Sequence, residues 1–351
     1  MLSAPFAGAL FLTGPTGSGK SRLGVELAER LGAEIISMDS MAVYRGMDIG
    51  TAKPSPAERR RVPHHLLDVL DPWQSASVAW WLTRAEACAR DIAARGKRIL
   101  FVGGTAMYLK ALLRGLFPGP SQQPALRRRL ELEAQSIGAA ALHERLAQVD
   151  PAAARRIHPH DLRRIVRALE VWELTGKPIS AWQTQWGQQS GVRRQESGVR
   201  SQASARQHEA EVKGHKSEVG NLGLNSGPDA PAPDPCPLPP DCCLWLDVPR
   251  PELYERIDQR VEVMFAGGLI DEAQALRSLP HALSREATQA LGYKEVFAFL
   301  DGQRTRPETI ALVQTRARQY AKRQITWFRH LPECRPASPQ LTWTLWGDKM
   351  M

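Results

Sequence analysis

The chain has 351 residues, 43% of them hydrophobic, with 46 Lys and Arg against 37 Asp and Glu for a formal net charge of +9. That apolar share excludes a wholly disordered chain, and the length suits one large domain carrying a smaller one. Five cysteines without a CxxC pair or Cys/His ligand spacing argue against a structural zinc and fit a reducing cytoplasm, while the surplus of positive charge admits a polyanionic partner.

In chain order, Ala9–Leu12 reads as a buried strand. The N-terminal stretch reads as neither a signal peptide nor a membrane span, because it lacks a basic region and its apolar run stops at a glycine-rich loop. Ser21–Leu31 reads as a helix, with Leu23, Leu27, Ala28 and Leu31 on one face and Gly32 as the stop. Glu34–Met38 is a second strand. Ser77–Arg95 is helical, with Trp81, Ala85, Cys88 and Ile92 at helical spacing, and Arg98–Val102 is a third strand before a helix over Ala106–Arg114. This alternation predicts an α/β fold, a parallel sheet flanked by helices.

From Pro118 to Trp186 helical patterns rich in Ala, Leu, Glu and Arg replace the strand-length apolar runs, which predicts an inserted small helical domain. Between Gly187 and Pro240 large apolar residues are scarce, and Ser190-Gly191-Val192-Arg193 recurs as Ser197-Gly198-Val199-Arg200. Such a segment cannot offset its ordering entropy by burial, so it reads as a disordered insertion. Cys243–Val248 returns to the sheet, Pro249 and Pro251 open a helix over Glu252–Ala266, and further helices run to about His330. The expected organisation is a phosphate-loop core over residues 1–117, the helical domain over 118–186, the insertion over 187–240, a return to the core over 241–332 and a tail over 333–351.

The sharpest chemical signal is Gly14-Pro15-Thr16-Gly17-Ser18-Gly19-Lys20-Ser21, a GxxxxGK[ST] phosphate loop between a predicted strand and a predicted helix. Its backbone N–H groups and the helix N-terminus suit a phosphate group, Lys20 adds a mobile charge, and the Ser21 hydroxyl can ligate Mg²⁺. An ordinary glycine-rich turn would need neither Lys20 nor Ser21. The loop alone says polyphosphate, with ATP the commonest ligand of such loops. Asp39, at the end of the second strand, belongs at the same sheet edge. There it reads as a Mg²⁺ partner, a base for an incoming nucleophile, or a plain helix cap. Thr105, after Val102-Gly103-Gly104, offers a hydroxyl at that edge or caps the next helix. Basic residues cluster at Arg127–Arg129, at Arg163, Arg164 and Arg167, and at Arg316, Arg318, Lys322, Arg323 and Arg329. Tyr44, Trp327 and Phe328 read as core side chains or as stacking faces for bases.

Taken together, Gly14–Ser21, the run Asp39-Ser40-Met41-Ala42-Val43-Tyr44-Arg45-Gly46-Met47-Asp48-Ile49-Gly50-Thr51-Ala52-Lys53-Pro54 and Val102–Thr105 resemble the bacterial tRNA dimethylallyltransferase family. So do Arg155–Asp161 leading to Arg167-Ala168-Leu169-Glu170, Ala290–Glu295 and Ala321–Arg329. The resemblance spans about Ala9 to His330 and skips only Gly187–Pro240, a segment foreign to the family pattern; the chain also lacks the Cys/His finger of eukaryotic members.

The resemblance implies a P-loop NTPase-like fold whose loop, Gly14 to Ser21, holds the diphosphate of dimethylallyl diphosphate rather than ATP, with Mg²⁺ at Ser21 and Arg260 nearby. It implies Asp39 as the base for the adenine amine of an anticodon-loop adenosine, at tRNA position 37, and Thr105 at the leaving oxygen. It places Asp39, Ser40, Met41, Ala42, Arg127, Arg163, Arg164, Ile165, Val166, Arg167, Gln289, Ala290, Leu291, Gly292, Tyr293 and Lys294 against tRNA. The expected protein is a cytoplasmic monomer with no membrane partner. A P-loop kinase of a small metabolite, with Arg127–Arg129 as its lid, is the alternative. A nucleotide-switched RNA-binding protein is a third reading, weakened by the lack of an Asn-Lys-x-Asp stretch.

Overall fold

The computed structural model describes residues 6–116, 119–183 and 241–348. The chain divides into two units, Met1–Leu116 with Asp234–Met351, and Phe117–Pro233. The predicted insertion over 187–240 lies outside the described residues.

The first unit is built on β1 (Leu10–Thr13), β2 (Ala33–Ser37), β3 (His64–His65), β4 (Arg98–Gly103), β5 (Cys243–Leu246) and β6 (Arg335–Ala337). All pair in parallel, in the order β3-β2-β4-β1-β5-β6. Every residue of β1, β2 and β5 is buried, the pattern expected of strands covered on both faces. Phe11 and Phe101 stack across the β1–β4 pair at 5.0 Å. The predicted strands and helices of this unit appear within one or two residues of their expected bounds. Two strands were not expected, β3 and β6. They have two and three residues and sit at the two edges of the sheet, too short to carry a hydrophobic period.

Helices α1 (Lys20–Leu31), α2 (Pro56–Arg61), α3 (Val78–Ala94) and α4 (Ala106–Arg114) fall between the first strands. Local chemistry sets their ends. Ser77 caps α3 by accepting the Trp80 N–H, and Ser55 and Glu58 form a reciprocal capping box on α2. Gly32 ends α1 in the left-handed conformation.

The second unit holds α5 (Pro124–Ile137), α6 (Ala139–Val149), α7 (Pro151–Arg156), α8 (Leu162–Thr175) and α9 (Ile179–Trp182) around its own core, which includes Leu130, Leu142, Leu146, Ile165 and Leu169. Glu170 lies fully buried in this core. Burial opposes its charge, but Arg127, Arg167 and the Gln123 N–H outweigh that and hold its pKa below the usual value.

The chain returns to the first unit with β5 and then α10 (Arg250–Ala266), α11 (Leu269–Arg277), α12 (Arg285–Thr288), α13 (Tyr293–Leu300), α14 (Arg306–Arg329) and α15 (Pro339–Thr342). No helix among the described residues is long and apolar enough to cross a membrane.

Candidate active site at the carboxyl edge of the sheet

Parallel strands end together, and β1, β2 and β4 deliver the phosphate loop, Asp39 and Thr105 to one edge. Thr13 locks two of these ends by donating its hydroxyl to the Gly103 carbonyl at 2.7 Å. The loop then turns through Gly17, whose φ of 81° and closeness to Ile257 both exclude a side chain.

Lys20, Asp39 and Arg260 meet in one cavity here, with Thr16, Ser21, Ala42 and a further charged residue, Lys53, also in its wall. Burial pushes the Lys20 ammonium down to about 8, against the pull of the Asp39 carboxylate and with a further push from Arg260. Its Nζ donates to the Pro15 carbonyl at 3.2 Å. Burial also lowers the pKa of Arg260, which Asp39 partly offsets. Arg260 donates through Nη2 to the Thr16 hydroxyl, while its Nε is buried without a partner. The Ser18 hydroxyl is likewise buried and unpaired. A site with unsatisfied donors around a lysine and an arginine is built for an anion.

Asp39 accepts the Met41 N–H at 2.8 Å and the Ala42 N–H at 3.3 Å on Oδ1. It therefore shapes its own turn with one oxygen, and its second accepts no hydrogen bond from the described residues. Thr105 accepts the Ser40 N–H at 3.1 Å, which ties the end of β4 to the Asp39 turn. It caps no helix with its side chain. The carboxylate and the hydroxyl are thus one hydrogen bond apart along the chain, beside the phosphate loop.

Gln324 was not singled out from the sequence. It lies buried on α14, accepts the Thr16 N–H at 2.9 Å and donates to the Gly104 carbonyl at 2.7 Å. It clamps the phosphate loop to the Thr105-bearing strand end. The available signal was an amide amid the basic residues of Ala321–Arg329, in a stretch already matched to the family.

The residues expected to meet tRNA divide into two groups. Arg163, Arg164, Gln289 and Lys294 are exposed, and Ser40, Met41 and Leu291 are half-buried. Others are turned inward. Ile165 and Val166 belong to the core of the helical unit, and Ala42, Ala290, Gly292 and Tyr293 are buried in the first unit. Arg127 and Arg167 direct their guanidiniums to Glu170, at 2.9 and 2.6 Å. A buried carboxylate needs cations, and it draws on the nearest basic residues. Tyr44 and Phe328 are fully buried, whereas Trp327 is half-buried with the Lys110 ammonium 5.8 Å from its ring centre.

Comparison with known proteins bears on this site. Residues 42–331 match the family described as IPP transferase, and residues 8–68 match isopentenyl transferase. The chain is 43% identical to the tRNA dimethylallyltransferase of Geobacter sulfurreducens over 92% of its own length and 89% of that protein's. It is 41% identical to the tRNA dimethylallyltransferase of Roseiflexus sp. over 92% and 90%. Among solved structures it is similar to the full-length tRNA isopentenylpyrophosphate transferase of Bacillus halodurans, with a TM-score of 0.59 and 35% identity over 94% of this chain and 89% of that one. A eukaryotic dimethylallyltransferase acting on tRNA superposes with a TM-score of 0.66 at 26% identity, covering 95% of this chain and 75% of that one.

Proposed function

Because the chain belongs to the IPP transferase family of tRNA dimethylallyltransferases, we propose that it transfers a dimethylallyl group from dimethylallyl diphosphate to the N6 amine of the adenosine at tRNA position 37. The observation that carries this reading is the single cavity shared by Lys20, Arg260 and the Asp39 carboxylate. An anion-binding loop beside a carboxylate suits a reaction in which a diphosphate departs while an amine loses a proton.

The exocyclic amine of adenine is a weak nucleophile, since its lone pair is delocalised into the ring. Carbon 1 of the donor must therefore develop allylic cation character as its bond to the diphosphate oxygen breaks. The departing electrons and charge settle on the diphosphate, which the loop N–H groups, Lys20, Arg260 and the Thr105 hydroxyl stabilise. The amine lone pair forms the new C–N bond, and Asp39 takes the amine proton on the oxygen its turn does not use. Gln324 holds the loop and strand end at fixed separation, which keeps donor and base aligned.

Among the described residues no cluster of three acidic, His or Cys side chains could hold a metal by itself. Ser21 is exposed at the first turn of α1 in the cavity wall. It would hold Mg²⁺ as a hydroxyl ligand alongside diphosphate oxygens, and the ion would supply counter-charge to the leaving group. The exposed Arg163, Arg164 and Lys294 supply phosphate contacts to tRNA. A tRNA substrate and free cysteines among the described residues support a cytoplasmic location. Incubation with labelled dimethylallyl diphosphate, Mg²⁺ and unmodified tRNA should move label into tRNA at that one adenosine. Label that stays in the diphosphate pool would remove the reading.

A further inference from the structure

The cavity continues past Asp39. It reaches from the phosphate loop after β1 to His64 in β3, the strand at the sheet edge, and on that side its wall is the segment 51–54. This segment is neither helix nor strand, and Ala52 within it has a φ of 52°. A non-glycine residue persists in that conformation only where its surroundings hold it.

Three anchors hold residues 48–54, one of them Arg59, whose Nε donates to the Pro54 carbonyl at 2.9 Å. Lys53 buries its ammonium under the loop and donates to the Tyr44 carbonyl at 2.5 Å, to Asp48 at 2.7 Å and to Asp68 at 2.5 Å. From α11, the Glu272 carboxylate accepts three consecutive backbone N–H groups, those of Asp48 and Ile49 at 2.9 Å and of Gly50 at 3.2 Å. Its Oε1 also accepts the Tyr293 hydroxyl at 2.5 Å. The tyrosine ring lies flush on the loop, since a Cβ on Gly50 would come within 2.5 Å of it. Burial, with the adjoining Glu272 carboxylate, raises the phenol pKa, so the hydroxyl remains a donor.

We propose that Glu272 and Tyr293 are positioning residues for the donor: they fix the 48–54 loop in the shape that walls the β3 side of the cavity, and so set how well the prenyl end of the allylic diphosphate is bound. The inference rests on the transferase reading above. Tyr293 falls within the stretch that the family resemblance placed against tRNA, yet its hydroxyl is committed to Glu272. Neither residue hydrogen-bonds to Thr16, Lys20, Asp39 or Arg260 among the described residues, so the diphosphate end of the site should not sense their loss.

Tyr293→Phe removes one hydroxyl and keeps the ring on Gly50, and it is the variant to read first. The expected result is a KM for dimethylallyl diphosphate raised about threefold to tenfold, the scale of one typical intramolecular hydrogen bond, with kcat held within about twofold. Inhibition by inorganic pyrophosphate should not change. Glu272→Gln should move the donor KM in the same direction and further, because its amide turns donors toward the loop N–H groups. An unchanged donor KM in Tyr293→Phe, even with a lowered Tm, would overturn the proposal, as would a loss of kcat alone. A parallel weakening of pyrophosphate would also overturn it, because the effect would then lie at the phosphate loop. Absence of transfer by the unsubstituted enzyme would instead overturn the transferase reading, and this inference with it.

Discussion

Lys20 carries its charge against its surroundings. Burial has pushed it down to about 8 from the ordinary 10.5, despite Asp39 nearby. Because the folded value lies below the unfolded one, the folded protein on its own binds fewer protons than the unfolded chain between those pH values, and its stability rises with pH across that window. A bound diphosphate reverses the balance by pulling the proton back onto Lys20. Pyrophosphate binding at about pH 9 should therefore take up a proton, read by calorimetry in two buffers of different ionisation enthalpy. Lys20→Ala should abolish the uptake, and equal heats in both buffers for the unsubstituted protein would exclude this account. Asp39→Asn tests the other charge. The amide still accepts the Met41 N–H on its oxygen, so tRNA binding should survive, while turnover drops by about 10²–10⁴ for want of a base. Near-normal turnover would leave Asp39 with a turn-shaping role alone. Lys20 and Asp39 could be read from the sequence because their meaning is local, set by a loop motif and a strand end. Gln324 and Glu272 could not, because each is an ordinary helical polar residue until the fold brings it to a partner 308 or 222 positions away.

Within a helix, periodicity decides which side chains are free to meet a partner, and α8 shows both outcomes within four residues. Arg163 and Arg164 are exposed at its start, while Arg167 turns inward with Ile165 and Val166 to pair with Glu170. The basic run thus mixes an exposed pair with a structural cation, a distinction that charge counting misses. Replacing Arg163 and Arg164 by Ala should flatten the salt dependence of tRNA binding, by about 0.7–0.9 in log–log slope for each phosphate that is no longer neutralised, with little change in Tm. Arg167→Ala should instead lower Tm by leaving Glu170 buried with one cation fewer, and change the salt slope little. Equal salt effects from the two variants would refute this division of the helix. The same logic sets what could be seen of the sheet beforehand. Its buried strands announce themselves as continuous apolar runs, as in Leu10–Leu12 of β1 and Ile99–Val102 of β4. Strands β3 and β6 are fixed by pairing with a neighbour already in place, Ile35 against His64 and Leu244 against Arg335, so their own residues carry no signal.

For the molecule as a whole, the decisive question is whether the phosphate loop spends a nucleotide. A kinase of this architecture needs arginines free to close over a triphosphate and an acceptor aligned with the terminal phosphorus. Of the three arginines that could have formed such a lid, two are committed within the helical unit, Arg127 to Glu170 and Arg129 to Glu173, which leaves Arg128 alone for that part. What faces the loop in its own cavity is a carboxylate, Asp39, which would repel a terminal phosphate but suits an amine about to lose a proton. A prenyl donor reacts at the carbon beyond its phosphate, so the phosphorus stays passive and no second phosphate acceptor is required. Dimethylallyl diphosphate, Mg²⁺ and tRNA should therefore suffice for product, without consumption of ATP, and added pyrophosphate should inhibit by filling the loop. Thr105→Ala should slow transfer by about 10²–10³, the effect of deleting one donor to a departing oxygen, and should leave salt-dependent tRNA binding intact. Parallel assays of labelled tRNA and of inorganic phosphate, with and without ATP, separate the two chemistries. If product formed only with ATP, or phosphate appeared in step with it, the loop would be acting as a nucleotide engine and the carboxylate at Asp39 would need another explanation.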